Sequence, residues 1–564
     1  MRKQIALMCG LAAAAATQAA QVDIRDNFIN AGETKVINAA DDNFLHEMVF
    51  VESGATLIIE AGAVIRAIPS WGPNVASIIV CRGGKIYAQG TVDKPIIFTI
   101  AADDLNDPRD YGPGAHGLWG GLVVAGYAPI DRGTKRIEGV DPNDDRGIYG
   151  GDNEDDSSGV IKFISIRHGG CGVQSDKEIN GLTLCGVGRK TVIDYVDVFA
   201  NADDGVEFFG GTVGVKHASV AFCGDDAFDY DDGWRGKGQY WFSIANNIKS
   251  RFANSDHGYE CDGVDGEQYT LFSKPVISNY TVIGQGKNNV GDQSVAKRAL
   301  SFIERCGGQL YNGIVGEWPR KAVLVRAQWT DDSHTRWMAG DLFIKNTFFY
   351  NFGAGNTWAA ICEGWSQLPT EMPLNNNWIR DPQLRGLSRD NADPFLDPRP
   401  AVRSPACSTA YINTAVASDP WFATPQWVGA FGPGMSLNHY WIKKWTSLAQ
   451  NNVAAKLLTI SPRHAEWIAS GATNFDLLFE LKVANAQLNS YQVLLDNVDV
   501  SASFQARSVS STITAGGTCY KIPNLPVTDL GSVGWHNLQA KFIVTVPGQG
   551  KDTLVDKVSY YRVQ

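Results

Sequence analysis

Acidic residues recur at a fixed spacing in this chain. Asp203, Asp204 and Glu207 are followed 22 residues later by Asp225, Asp226 and Asp229, with Asp231 and Asp232 just beyond. If the segments that carry them lie side by side as parallel strands, like residues stack about 4.8 Å apart. Carboxylates at that distance repel, so such a stack is hydrated, protonated or bridged by a cation. Three chemistries therefore stay open: a solvated acidic turn, a hard-cation site, or acid–base catalysis. Oxygen ligands suit calcium, and Asp204, Glu207, Asp226 and Asp229 are its candidate ligands.

A second acidic run, Asp141-Pro142-Asn143-Asp144-Asp145-Arg146-Gly147, puts oxygen ligands at Asp141, Asn143 and Asp145. It has the start of a calcium loop, although its glycine falls one place late for an EF-hand. A solvated acidic loop is the other reading, and Asp152-Asn153-Glu154-Asp155-Asp156 continues it. Rings flank the first group of acids: Phe208, Phe209, Phe228, Tyr230, Trp234, Tyr240, Trp241 and Tyr259. Sugars stack on flat rings while acids accept their hydroxyl protons, so a glycan groove fits this mixture. Tyr230, Trp234, Tyr259 and Arg235 are the candidate substrate contacts. Trp234, between Gly233 and Arg235, is expected in an exposed loop, whereas Phe208 and Phe228 are expected in the core.

The elements that must position these residues repeat. Ile193-Asp194-Tyr195-Val196-Asp197-Val198 returns as Val215-Lys216-His217-Ala218-Ser219-Val220, and Ile161 to Ile166 fits the same frame after a ten-residue insertion. Ser278-Asn279-Tyr280, Tyr311-Asn312-Gly313 and Lys345-Asn346-Thr347 recur at 33 and 34 residues. Their asparagines suit a buried left-handed turn with a hydrogen bond to the next coil. Short alternating strands at about one coil per repeat describe a solenoid of β coils. A right-handed parallel β-helix over about residues 21–430 is the expected fold, in an all-β chain. Trp421, Trp427, Phe431, Trp441 and Trp445 mark an aromatic segment, 431–454 at its centre, that would cap the last coil. An aromatic sugar platform is the alternative. From about Ala455 the spacing becomes irregular, and a small β-sandwich is expected over 455–564.

Several motifs carry a family resemblance. Lys85-Ile86-Tyr87-Ala88-Gln89-Gly90-Thr91, Trp119-Gly120-Gly121-Leu122, Asp204-Gly205-Val206-Glu207-Phe208-Phe209-Gly210-Gly211-Thr212 and Gly429-Ala430-Phe431-Gly432-Pro433 resemble secreted bacterial β-helix proteins over roughly residues 45–447. The resemblance implies the pectin-lyase-like fold and no particular reaction. Asn201-Ala202-Asp203, Gly224-Asp225-Asp226 and Asp256-His257-Gly258 are in turn similar to the motifs of polygalacturonase-type hydrolases. That resemblance implies Asp226 as general acid, Asp203 and Asp225 activating water, and His257 in support. The third motif departs by starting with Asp256, and Arg235-Gly236-Lys237 precedes the histidine where the family has Arg-x-Lys after it.

Composition narrows the rest. With 49 Lys and Arg against 60 Asp and Glu in 564 residues, the net charge of −11 argues against a general nucleic-acid binder. Arg2 and Lys3, an apolar run over 5–16 and small residues to Ala20 read as a secretory signal, so export to the envelope or outside is expected. Past that run no apolar stretch is long enough for a transmembrane helix. Nine cysteines would remain: Cys171 and Cys185 could close a loop, or the thiols pack as small apolar residues. No phosphate loop, HExxH helix or GxSxG elbow occurs. The leading expectation is an exported protein that binds polysaccharide, with calcium in the acidic stack. A polysaccharide hydrolase or calcium-dependent lyase and a purely structural or adhesive surface protein are the alternatives. Oligomeric state is not legible.

Overall fold

The computed structural model describes residues 19–562 except 106, 108–109, 175–176, 247–254, 265–268, 290–297, 390–395, 402, 435, 452, 454–456, 462–465, 469–473, 482–486, 497, 502–509, 515–516, 527–530, 533 and 547–549. The expected signal over residues 1–20 lies almost wholly outside the described residues, as does the side chain of Cys519.

The repeats are coils of a parallel β-helix. One sheet of ten parallel strands runs from Met48–Val51 through Leu182–Cys185, Val206–Phe209, Phe228–Asp231 and His257–Asp262 to Cys362–Gly364. A second sheet of sixteen strands contributes the other wall, with Gly159–Arg167, Val192–Phe199, Gly214–Ala221, Lys237–Ile244, Val276–Ile283 and Gly308–Gly316 as its long central strands. The period seen in the sequence is the register of these sheets: Ile193 pairs with Val215, Glu207 with Asp229, Ser278 with Tyr311, and Tyr311 with Lys345. Stacking fills the interior with columns of like character. Leu182, Val206, Phe228, Tyr259, Leu300 and Val323 form one such column, all fully buried.

Each long central strand bends where one residue takes a left-handed conformation. These residues, Phe163, Tyr195, His217, Tyr240, Asn279 and Asn312, fall in one column that Asn346 continues between two short strands of the next coil, with φ between 48° and 62°. A non-glycine residue there costs roughly 1–2 kcal/mol, so the site must repay it through its side chain. The first four do so as a ring stack, with centroids 4.2 Å apart from Phe163 to Tyr195, 4.2 Å on to His217 and 4.9 Å on to Tyr240. The three asparagines do so by hydrogen bonding, as expected for Asn in this conformation. Their main partner is a different one: Asn279 Nδ2 donates to Trp427 O at 2.7 Å, Asn312 Nδ2 to Asn413 O at 2.8 Å and Asn346 Nδ2 to Tyr411 O at 3.0 Å.

Those partners belong to a segment that corrects the expected boundary. The coils end at Cys362–Gly364 and Trp378–Ile379, well before residue 430. The chain then folds back along the bent face as a strap. Asn413 meets Asn312, Ala430 meets Thr281, Trp441 meets His217, Trp445 meets Phe163 and Tyr195, and Ser447 meets Asp197 and Ser165. The aromatic segment therefore covers the flank of the solenoid along its length instead of capping its end, and its tryptophans at 427, 441 and 445 are buried in that contact. The same burial removes them as a sugar platform.

Beyond the strap lie two further sheets, the first built on Leu457–Ser461, Asn474–Leu481, Ser510–Thr514 and Gly517–Pro526. The second holds Gln487–Leu495, Gly534–Val546 and Gly550–Arg562 with shorter edges. Phe479, Tyr520 and Ile522 of the first share one apolar cluster with Val493, Leu538 and Phe542 of the second. Among the described residues eight cysteines are free thiols, seven of them buried, so Cys171 and Cys185 pack in the core unbridged.

Candidate functional site

The acids sit where the chain turns from the long strands into the ten-stranded sheet. Val206, Phe228 and Tyr259 are the first paired residues of three successive strands, and the residues before them stay in step. This produces three columns. Asp203, Asp225 and Asp256 form the outermost. Behind it stand Asn180, Asp204, Asp226 and His257, all buried. Thr183, Glu207, Asp229 and Glu260 form the third, on the sheet itself.

The middle column is a ladder of turn caps. Asn180 Oδ1 accepts from the Asp204 amide at 3.2 Å, and Asp204 Oδ1 accepts from the Asp226 amide at 2.9 Å. Asp226 Oδ1 in turn accepts from the His257 amide, and His257 Nδ1 lies 3.1 Å from the same oxygen. Each side chain thus satisfies a buried N–H of the next coil, which regular strand pairing cannot reach at a turn. Asn201 Nδ2 donates to Asp204 O at 2.6 Å and closes the turn from inside.

The outer column opens into a groove of about 830 Å³. Asp203, Asp225, Asp256 and Glu178 line it together with Trp71 and His116. Gly170 forms part of the wall at φ +85°; a Cβ there would lie 2.6 Å from Asp203 N, so glycine lets the wall approach the acidic turn this closely. Trp71 is 67% exposed, and its indole N–H donates to Gly117 O at 3.1 Å, which fixes the ring at the groove.

Crowding shifts the acids in one direction. Loss of water, then the charges of Asp225 and Glu178, hold Asp203 well above the usual carboxylate range. Burial, then Asp203, Glu207 and Asp226, does the same to Asp204. Glu207, Asp226 and Asp229 are raised for the same reasons, burial first and neighbouring carboxylates second. Asp225 opens to the groove, so its rise is smaller: partial burial and the charges of Asp256 and Glu260 bring it to about 6. Burial and Asp232 bring Asp231 to about 7.

Three groups hold ligand atoms within 4.8 Å of one another: Asp203, Asp204 and Asp225; Asp204, Glu207 and Asp229; and Asp226, His257 and Glu260. Ligands on opposite sides of a calcium ion stand about 4.8 Å apart, twice the usual Ca–O distance, so such spacing suits a hard cation. The second group is all oxygen. Asp229 Oδ1 and the neighbouring buried Thr183 Oγ1 have no hydrogen-bond partner there.

The residues singled out from the sequence divide clearly. Asp203 and Asp225 share the groove, whereas Asp226 and His257 lie behind it and serve the turn ladder. The four hydrolase positions therefore do not face one space. Asp204, Glu207 and Asp229 come together, and Asp226 joins His257 and Glu260 instead. The substrate contacts need correction. Trp234 is 0% exposed, with its ring stacked 4.0 Å from that of Phe208. Gly233, at φ +80°, turns the chain so that the indole points inward. Tyr230 and Tyr259 are likewise core residues, at 1% and 0%. Arg235 is exposed but packs over Phe272, outside the groove lining. Asp141, Asn143 and Asp145 are also corrected. Asp141 Oδ1 accepts from the Asn143 amide, Asp145 pairs with Arg136 at 2.9 Å and Asp144 with Arg146 at 2.7 Å, so the run is a turn held by arginines. Trp71, His116 and Glu178 were missed. Trp71 lies in Ser70-Trp71-Gly72-Pro73, the loop signature applied above to Trp234.

Residues 30–364 match the family described as the pectate-lyase-like beta helix domain. The chain belongs to this family. As a pectate-lyase-like β-helix it is also similar to two solved chains from bacteriophage. The enzymatically active domain of bacteriophage CBA120 tailspike protein 2 is 10% identical, with 93% of this chain and 72% of that one covered and a TM-score of 0.29. The full-length tailspike protein 2 from an Escherichia coli O157:H7 bacteriophage is 10% identical, with 94% and 64% covered and a TM-score of 0.27. No curated protein matches the chain. No helix among the described residues is long and apolar enough to cross a membrane.

Proposed function

We propose that this β-helix is an exported polysaccharide-binding protein whose groove at Asp203, Asp225 and Asp256 holds a glycan chain. One observation carries the reading: an indole fixed in an exposed position shares a groove with several carboxylates. The ring offers a sugar a stacking face, and the acids accept its hydroxyl protons. The groove also weighs against a solenoid that is only a spacer. Behind it, Asp204, Glu207 and Asp229 offer calcium an all-oxygen site, where the ion would neutralise carboxylates that repel one another.

A glycan array probed with the purified protein, in calcium and in EDTA, tests this. Retention on at least one glycan is expected, and Trp71→Ala should weaken it about tenfold, a stacking contact of roughly 1.4 kcal/mol. Because Trp71 is exposed, its melting temperature should stay unchanged. No retention under either condition overturns the reading.

A second reading rests on Asp225. Loss of water and the charges of Asp256 and Glu260 push its carboxyl up to about 6, towards the range that suits a general acid or base, and Asp203 stands on the adjacent coil. Cleavage would then use these two, with Asp226 excluded by its burial. Sugar release that persists in both Asp203→Asn and Asp225→Asn removes this reading.

A further inference from the structure

Two of the eight described thiols share a partner. Tyr230 and Cys261 are paired residues on adjacent coils, and both belong to the core. The Tyr230 hydroxyl lies 3.5 Å from Cys306 Sγ and also interacts with the Cys261 thiol. The two thiols interact with each other as well. Both cysteines are 0% exposed.

The backbone brings them together. Cys261 pairs with Phe302 across the sheet, and just beyond it the Val264 amide donates to Glu304 O at 2.8 Å. Gly263 lets the two segments cross closely, since a Cβ there would lie 2.4 Å from Cys306 N. Glu304 and Arg305 both take left-handed conformations, at φ 55° and 60°, and turn the chain so that Cys306 enters the core. Asp332 Oδ1 and Ser333 Oγ hold that turn by accepting from the amides of Arg305 and Cys306, at 3.4 Å and 3.0 Å. A disulfide needs two backbones running close together with side chains that meet, and this crossing supplies both. We propose that Cys261 and Cys306 are joined by a disulfide when the chain folds in an oxidising compartment, the setting that the proposed export implies. Closure breaks both S–H bonds and forms one S–S bond. The two electrons and two protons reduce the disulfide of an exchange partner, an oxidoreductase or oxidised glutathione, to two thiols. Burial pushes the Cys261 thiol well up, and exchange runs through the thiolate. Closure therefore belongs to folding, before the core shuts the oxidant out.

The test compares the full chain directed to the bacterial periplasm by a fused leader with the same chain made in the reducing cytosol. Loss of the leader, read at the N-terminus of the purified protein, shows that the first sample passed through the oxidising compartment. Each sample is unfolded in guanidinium with an alkylating reagent and no reductant, then digested with trypsin, which separates the two cysteines at Lys287. In the periplasmic protein, Cys261 and Cys306 are expected to take up no reagent until dithiothreitol is added, and their peptides should appear linked by mass. Both should be alkylated in the cytosolic protein. Cys306→Ala should leave Cys261 open to alkylation from either source. Full alkylation of both cysteines in the periplasmic wild type overturns the proposal. So does a link from either of them to another cysteine, or a Cys261 that stays blocked in Cys306→Ala. None of these outcomes bears on the glycan reading, which the array tests by itself.

Discussion

Asp204 does two things with one carboxylate. Oδ1 caps the amide of Asp226, and the group stands close enough to Glu207 and Asp229 to share a cation with them. The pH dependence follows from the shifts. Glu207 in the unfolded chain titrates near 4.3; in the folded protein burial and the neighbouring acids raise it well above that. Between those values the folded state binds more protons than the unfolded one, so stability falls as pH rises. Below the unfolded value the contribution is fully present. Glu207→Gln keeps an acceptor for Asn180 and removes the titration. In EDTA the variant should match the wild type at pH 4 and melt higher than it at pH 7.5. Calcium should raise the wild type's melting temperature at pH 7.5 and the variant's much less, because a ligand of the native state stabilises by mass action. A wild type that gains stability on that rise in pH relative to the variant, or ignores calcium, contradicts this account of the stack. The acids were legible because the sequence period is the coil register. Which acid faces outward was not, since adjacent residues 203 and 204 part at a turn that the period does not describe.

At the scale of the element, the bent column and its strap depend on each other. Asn312 pays for its left-handed backbone by exchanging hydrogen bonds with both main-chain groups of Asn413. Asn312→Ala keeps the strained backbone and leaves those groups unpaired, a loss of about 3 kcal/mol. Asn312→Gly relieves the backbone alone and should cost about 1–2 kcal/mol less. Chemical unfolding of both variants reads the difference, and equal losses would mean the conformation carries no strain. Trp445 seals the other end, edge-on to Phe163 with centroids 5.4 Å apart. Trp445→Ala should cost about 3–5 kcal/mol in the same measurement. The asparagines stood out in the sequence because they are identical. Phe163, Tyr195, His217 and Tyr240 occupy the same column but differ in type, and only their stacked rings show what they share. The strap follows no period of its own, so nothing in its sequence marked where the coils end.

Across the whole molecule, the coils set the groove's floor and loops set its walls. The β-helix itself was legible, since parallel stacking writes its register into the chain. The groove was half legible: Asp203 and Asp225 come from the repeat, but Trp71 and His116 come from loops and Glu178 from a short antiparallel strand pair outside the coil register, far apart in sequence. Trp234 misled because its flanking residues resemble a loop while its ring completes the core. The same geometry supplies the most direct test of a glycan-binding groove. Trp71 and Trp329 are both exposed, at 67% and 48%, and only Trp71 lines the groove. Hydroxyl-radical footprinting with and without a glycan retained on the array reads the two in one sample. Bound glycan should protect Trp71 and leave Trp329 labelled as before. A bound glycan that leaves Trp71 fully labelled, or protects Trp329 in its place, would contradict the assignment of the groove as the binding site.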